Sequence, residues 1–459
     1  MTERRRARRP VVLYQPRDEG VRMPLGLLAV GSAMRGRHVV VVDGRLDLAP
    51  EARVVELTRE ADCLGLTVRS GRPLRDAVRV SAAARAANRR LRVVWGGPHA
   101  RFRPEQCLAT GLVDACVVGA GEVSFERALD ASRWGRTLEG IPGLALRGAG
   151  ETTTAPPPVT PPPPAEVAAA AYALLELERY FEVRGGRRLD YCGSRGRGSA
   201  DGDAWWALPP DRVVAEVGEL AERYRLEAVL FQEEDFFGDL GRVDALARGL
   251  LDEGRRLPWE VGARPEQLLV AGQDRLRLLR ESGCTRMHVL VAPGAVLAGE
   301  SRREVLEAGA LLHGADLAGR FVFEVEAPRR GHDNLSSAGA VARSLMALDR
   351  RFETPLQRRR VYPPDEDPSA APPADLEAWA AREEAPWPDR RAERRLRRRI
   401  FYFSEAQRPA GRRPGQRLVR AMARLRIRLG VFVLGFERRA VEASAFLRTG
   451  RTRRAGWRD

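Results

Sequence analysis

The sequence predicts an α/β chain. It reads as a doubly wound, Rossmann-like N-terminal domain, a partial (β/α)6 barrel of the TIM type, and a helical, arginine-rich C-terminal region. Three observations carry this. Short apolar runs ending in turn residues alternate with segments of helical spacing, as strands buried on both faces require. A proline run, TTTAPPPVTPPPP at residues 152–164, separates two such series, and a segment of that composition is a stiff linker. Past residue 364 the strand pattern stops and arginine-dense helical spacing takes over.

The first series occupies residues 10–150. Its strand candidates are VVLYQP (11–16), HVVVVDG (38–44), CLGLTV (63–68), RVVWGG (92–97) and ACVVGAG (115–121). Between them LGLLAVGSAMRG, PLRDAVRVSAAARAA and SFERALDAS have the spacing of amphipathic helices. Residues 151–186 read as the proline-rich linker and a connecting segment. The second series fills 187–364, with strand candidates RRLDYCG, AVLFQEEDFF (228–237), WEVGARP (259–265), RMHVLVAPG (286–294), RFVFEVEAP (320–328) and FETPLQRRRVYPP (352–364). In DRVVAEVGELAERYR, Val213, Val214, Val217, Leu220, Ala221 and Tyr224 fall on one helical face, with Asp211 placed to cap it. Residues 365–459 form the arginine-rich region. There the apolar LGVFVLGF between arginines admits two readings, amphipathic helices packed on the barrel or peripheral contact with an anionic membrane surface.

Composition narrows the function classes. The chain has 459 residues, 44% hydrophobic and 31% charged, and no apolar run of membrane-spanning length. MTERRRARRP has no apolar segment after its basic start, so it does not read as a secretory signal, and a cytoplasmic protein is expected. The net charge of +16 invites a nucleic-acid partner. Lysine is absent, however, and all 78 basic residues are arginine, a pattern of GC-rich coding. Nucleic acid is therefore not the expected partner. Cys63, Cys107, Cys116, Cys192 and Cys284 are scattered, without a C-x-x-C pair, and define neither a zinc site nor a disulfide framework.

Taken in order, MPLGLLAVGSAM, WGGPH, VVGAGEVSFERAL, LEGIPGLALR and a barrel opening at LDY resemble the cobalamin-binding radical S-adenosylmethionine proteins. These are the relatives of the anaerobic magnesium-protoporphyrin cyclase and of several methyltransferases. The resemblance runs from about residue 10 to about residue 440 and rests on motif order. It implies that loops at Gly71, Gly96, Gly97, Gly119, Gly121 and Glu122 cradle cobalamin. Glycine there allows the backbone to approach a macrocycle closely. No D-x-H-x-x-G cobalt-ligating motif is present, and His99 is the best remaining imidazole.

The family's barrel carries C-x-x-x-C-x-x-C for a [4Fe–4S] cluster that binds S-adenosylmethionine. Here those positions fall at Arg197, Asp201 and Ala204, and Cys192 stands alone in its strand. Ala292 occupies the acidic position of a VESGS-like strand end, and EVEAPRRG replaces a glycine-rich fifth turn. The resemblance thus implies a degenerate radical domain without cluster or adenosylmethionine cleavage. That describes a cobalamin- or substrate-binding accessory protein, with an intact radical relative or a small-molecule substrate as partner. A cobalamin-dependent methyltransferase or cyclase-like enzyme, and an arginine-rich membrane-surface or nucleic-acid-binding protein, stand as alternatives. If catalysis persists, Glu233 and Glu234 in FQEEDFF are the expected acid–base groups, unless the acidic run pairs with arginines such as Arg264.

Overall fold

A computed structural model describes residues 9–148, 152–154, 171–196, 205–254, 256–292, 299–325, 334–358, 402 and 414–429, apart from 19, 35, 134 and 135. The strands are β1 (Val11–Gln15), β2 (Val39–Asp43), β3 (Cys63–Thr67), β4 (Arg92–Gly96), β5 (Ala115–Val117), β6 (Leu144–Arg147), β7 (Thr152–Thr154), β8 (Arg188–Tyr191), β9 (Ser194–Arg195), β10 (Trp206–Ala207), β11 (Ala228–Phe231), β12 (Trp259–Ala263), β13 (Cys284–Val291), β14 (Ala318–Val325) and β15 (Leu356–Arg358). The helices are α1 (Leu25–Ala33), α2 (Pro50–Thr58), α3 (Arg72–Ala87), α4 (Pro98–Phe102), α5 (Pro104–Ala109), α6 (Gly121–Arg133), α7 (Leu177–Arg184), α8 (Pro210–Tyr224), α9 (Leu240–Asp252), α10 (Pro265–Glu281, kinked at Gly272), α11 (Gly299–Gly314), α12 (Asn334–Leu348) and α13 (Pro414–Leu429).

The first sheet runs β2-β1-β3-β4-β5-β6-β7. β2, β1, β3, β4 and β5 are parallel, while β6 and β7 add antiparallel. Strand alternation divides its core in two. Val12, Tyr14, Leu64, Leu66, Val93 and Trp95 pack with Val54 of α2 and with Leu74, Ala77, Val80 and Ala84 of α3. On the other face Val11, Leu13, Cys63, Val94, Ala115 and Val117 pack with Leu27 of α1 and with Phe125, Ala128 and Leu129 of α6. Both faces are covered, which is why these strands read as unbroken apolar runs. All five predicted strands are present. Two expectations need correction. The sheet is mixed rather than wholly parallel. Thr152–Thr154, assigned to the linker, forms β7 because its backbone completes the ladder on β6. The prolines of the linker lie outside the described residues.

The second sheet has the order β15-β14-β13-β12-β11-β8, and β12 through β15 pair in parallel. Contacts within the chain define two compact units. One takes Met1–Gly193 and Ala215–Val229, and the other takes Ser194–Val214 and Leu230–Arg359. In the second unit Phe231, Phe236 and Trp259 form an aromatic cluster, with Phe231 edge-on to Trp259 at 5.5 Å. The strand expected over 228–237 ends at Phe231, and Phe236–Gly238 is a 3-10 turn. The strand expected from 352 is limited among described residues to β15. α8 buries Val213, Val217, Leu220 and Ala221 as predicted. Asp211 sits inside its first turn rather than capping it. Pro210 opens the helix, where a missing N–H costs nothing, and Asp211 meets the positive end of the helix dipole.

Candidate functional site

The first unit offers a crevice at the carboxyl ends of its parallel strands. The chain leaves β1 for β2 on one side and β3 on the other, so the order reverses between β1 and β3. Such a switch point opens a space between the loops. Gly71 lies there with φ +80°, and among the described residues a Cβ on it would meet no heavy atom within 4 Å. Its backbone edge is open to a ligand. Gly97, φ +88°, is constrained differently: a Cβ would lie 2.7 Å from Thr67 Oγ1 and 2.8 Å from Val68 N. Only glycine lets the β4 loop lie against the β3 loop. Two backbone hydrogen bonds then join them, Val68 N–H to Gly96 O at 2.7 Å and His99 N–H to Val68 O at 3.1 Å.

The other predicted crevice residues divide. Gly96, the last residue of β4, and Gly119, in the turn after β5, are half-buried. Gly121 serves helix packing, since a Cβ there would come within 2.9 Å of Val30 on α1. Glu122 is buried in the first turn of α6, where a carboxylate suits the helix dipole. His99 is fully buried, and its Nδ1 lies 3.0 Å from Ser70 Oγ. Burial first, and then the Arg103 guanidinium, push its pKa down to about 4, so the ring is neutral at pH 7. Through Nδ1 it ties the β3 loop to the start of α4.

Sequence reasoning missed Asp190, although it quoted the strand that carries it. Asp190 on β8 is fully buried and accepts two bonds from Arg184, at 2.8 and 3.0 Å. It also accepts the Met23 N–H at 2.7 Å, and Tyr172 O–H donates to its carbonyl at 2.5 Å. Met23 belongs to the loop between β1 and α1, so a charged staple fixes one wall of the crevice. An acidic residue within an apolar strand run was the only available signal.

The second candidate region follows β8. Arg197, Asp201 and Ala204 lie outside the described residues. The segments flanking them, β9 and β10, form a short antiparallel hairpin. Cys192 falls just past the end of β8 and is half-buried, correcting its placement within the strand. Cys63, Cys107, Cys116 and Cys284 are fully buried. Burial pushes the thiols of Cys63, Cys107 and Cys284 well above their usual pKa, which disfavours the thiolate that iron requires. Among the described residues, which include all five cysteines, no three His, Cys, Asp or Glu side chains converge as a metal site. The residues present do not fit a three-thiolate cluster.

The acidic run after β11 holds the hairpin. Glu233, 8% exposed, accepts a hydrogen bond from Ser194 Oγ of β9 and faces Arg242 Nη1 of α9 at 3.4 Å. Arg242 Nε donates to Leu208 O at 3.1 Å, beyond β10. Asp235 accepts from Gln267 Nε2 at 2.5 Å, its carbonyl accepts from the Trp205 indole at 3.2 Å, and Arg264 lies 3.9 Å away. Glu234 points to solvent. Glu233 and Glu234 therefore do not form a shared pair. One is committed to a buried cation and the other is exposed.

Residues 19–129 match the family model of the B12-binding domain. A curated relative, described as an uncharacterized methyltransferase from Pyrococcus horikoshii, is 26% identical over 57% of this chain; the match spans 59% of that relative's length. Among solved structures, the radical S-adenosylmethionine methyltransferase TsrM from Kitasatospora setae, with cobalamin and a [4Fe–4S] cluster bound, superposes with a TM-score of 0.59. It is 18% identical, and the match covers 74% of this chain and 70% of that one. The cobalamin-dependent S-adenosylmethionine radical enzyme OxsB gives a TM-score of 0.61 at 15% identity, covering 84% of this chain and 56% of that one. These likenesses agree in fold with the resemblance read from the motif order.

Proposed function

From a chain that carries a B12-binding domain at residues 19–129 and shares the fold of cobalamin-dependent radical S-adenosylmethionine enzymes, we propose a corrinoid-binding accessory protein whose second sheet is an open barrel working without an iron–sulfur cluster. One observation carries this reading: the chain has five cysteines, four of them fully buried, and no three of them meet. Soft thiolates are what hold such a cluster. The strand pair β9–β10, stapled by Glu233 and Arg242, flanks the positions where the resemblance would put the cluster loop.

The crevice does fit a corrinoid. Gly71, with open space over its backbone, and the Gly96–Gly97 turn would hold the macrocycle edge or its tail, and the Met23 loop held by Asp190 would form the facing wall. When bound, a corrinoid supplies a cobalt able to carry a methyl group. The chain's part is to hold that group and screen it from water. His99 stays neutral and structural. The partner is an intact radical relative or a small-molecule substrate.

The test is direct. Protein from cobalamin-supplemented cells, purified anaerobically and reconstituted with iron and sulfide, is expected to show corrinoid absorbance, little bound iron and no 5′-deoxyadenosine. About four irons per chain with 5′-deoxyadenosine formation would overturn the cluster-free reading. A second reading, corrinoid-dependent methyl transfer without a cluster, is favoured by the methyltransferase description of the curated relative. It predicts movement of a labelled methyl group from adenosylmethionine to the bound corrinoid by the iron-free protein.

A further inference from the structure

The second sheet has two unlike faces. Met287, Val289 and Val291 of β13 and Phe321, Phe323 and Val325 of β14 are fully buried. Phe321 lies against α11, within 3.7 Å of where a Cβ on Gly309 would stand. The alternate residues face the other way and are polar or partly exposed. On that face His288 Nε2 lies 2.7 Å from Glu260 Oε2 of β12. The Glu260 side chain is 9% exposed and that of His288 28%. The next row is separate: Arg286 and Arg320 each reach one oxygen of Glu353, at 3.3 and 3.0 Å.

Two features distinguish the His288–Glu260 pair from a cross-strand ion pair. First, the residue opposite His288 in register is Gly262, and among the described residues a Cβ there would meet only His288 O, at 3.9 Å. A notch is open beside the ring. Second, His288 Nδ1 has no hydrogen-bond partner among the described residues. A carboxylate at Nε2 fixes the tautomer that donates there and leaves the Nδ1 lone pair to accept a proton. Leu290, 46% exposed, pairs in register with Val322 one step further along, giving the notch an apolar rim.

We propose that His288, oriented by Glu260 beside the Gly262 notch, is an acid–base site for a small apolar molecule bearing one weakly acidic O–H or N–H, such as a phenol or an azole. The step is a proton transfer. The X–H bond of the ligand breaks, its electron pair stays on X, and a new N–H bond forms at Nδ1. Glu260 balances the imidazolium, and the proton leaves through the exposed side of the ring. No oxidant, metal or electron donor is needed, so the site operates with or without a corrinoid in the first unit.

The probe is 4-nitrophenol, whose phenol and phenolate absorb differently, added to the full chain at a pH below its ionisation. The expected result is saturable binding with an increased phenolate fraction. His288→Gln keeps the binding, read by equilibrium dialysis, and loses the increase. Glu260→Gln lowers the increase about tenfold, and Gly262→Val, which fills the notch, abolishes binding. Failure of the wild-type chain to bind at millimolar probe, equal binding by Gly262→Val, or an unchanged phenolate fraction in a folded His288→Gln chain each overturns the proposal. Circular dichroism shows that each variant is folded, and Glu260→Gln keeps the test decisive if His288→Gln is not.

Discussion

At the scale of single residues, His99 and Glu233, which chemistry singles out in the sequence, turn out to be occupied with structure. His99 is the clearest. Its pKa falls from 6.5 to about 4 because burial and Arg103 both oppose the imidazolium. Between those values the unfolded chain binds a proton that the folded chain does not, so the contribution of His99 is complete above pH 6.5 and is lost as pH falls toward 4. The wild-type unfolding midpoint in urea is expected to drop across that window, and that of His99→Gln to drop less; parallel curves would show that His99 does not titrate there. Arginine plays the same structural part elsewhere. Arg45 closes on Asp43, Arg184 on Asp190, Arg275 on Asp244 and Arg351 on Asp349. A planar guanidinium suits such two-point contacts better than an ammonium would. The His288–Glu260 pair drew no notice in the sequence because its members lie on different strands, 28 residues apart, and no local pattern joins them.

At the scale of elements, the β9–β10 hairpin matters most. Two-residue strands have little stability of their own. This hairpin is held from outside by Glu233 on β9, by Arg242 on the segment after β10, and by the Trp205 indole on Asp235 O. Glu233→Gln withdraws the anion facing a guanidinium whose side chain is 6% exposed. The expected loss is about 3 kcal/mol of unfolding free energy, the usual cost of breaking a buried ion pair. Glu234→Gln, at an exposed position, is expected to change stability by under about 0.5 kcal/mol. Chemical denaturation of the two variants checks the contrast, and equal losses would remove the staple. The five parallel strands of the first sheet were legible because two covered faces impose unbroken apolar runs. The end of β11 was not. AVLFQEEDFF reads as one run, but the strand stops at Phe231, and Glu233 and Asp235 beyond it are engaged by Ser194, Arg242 and Gln267.

At the scale of the molecule, the first unit sets the Gly71 turn and the Met23 loop held by Asp190 at the carboxyl end of its parallel sheet, and the proposed corrinoid would bind there. Hydroxocobalamin at about 100 times its dissociation constant is expected to stabilise the chain by about 2.7 kcal/mol through mass action, seen as a raised melting midpoint. No shift at millimolar corrinoid would remove the crevice from the functional reading. No helix among the described residues is long and apolar enough to cross a membrane. The sequence by itself determined the two βα series, the five parallel strands of the first sheet and the scarcity of cysteine. Composition and periodicity are local properties, whereas whether five scattered cysteines meet is decided only by folding. Only the tertiary structure decided which charged residues are free to act. Whether a carboxylate or an imidazole meets solvent or a buried arginine depends on strands and loops brought together from distant parts of the chain, and burial and hydrogen bonding set its chemistry there.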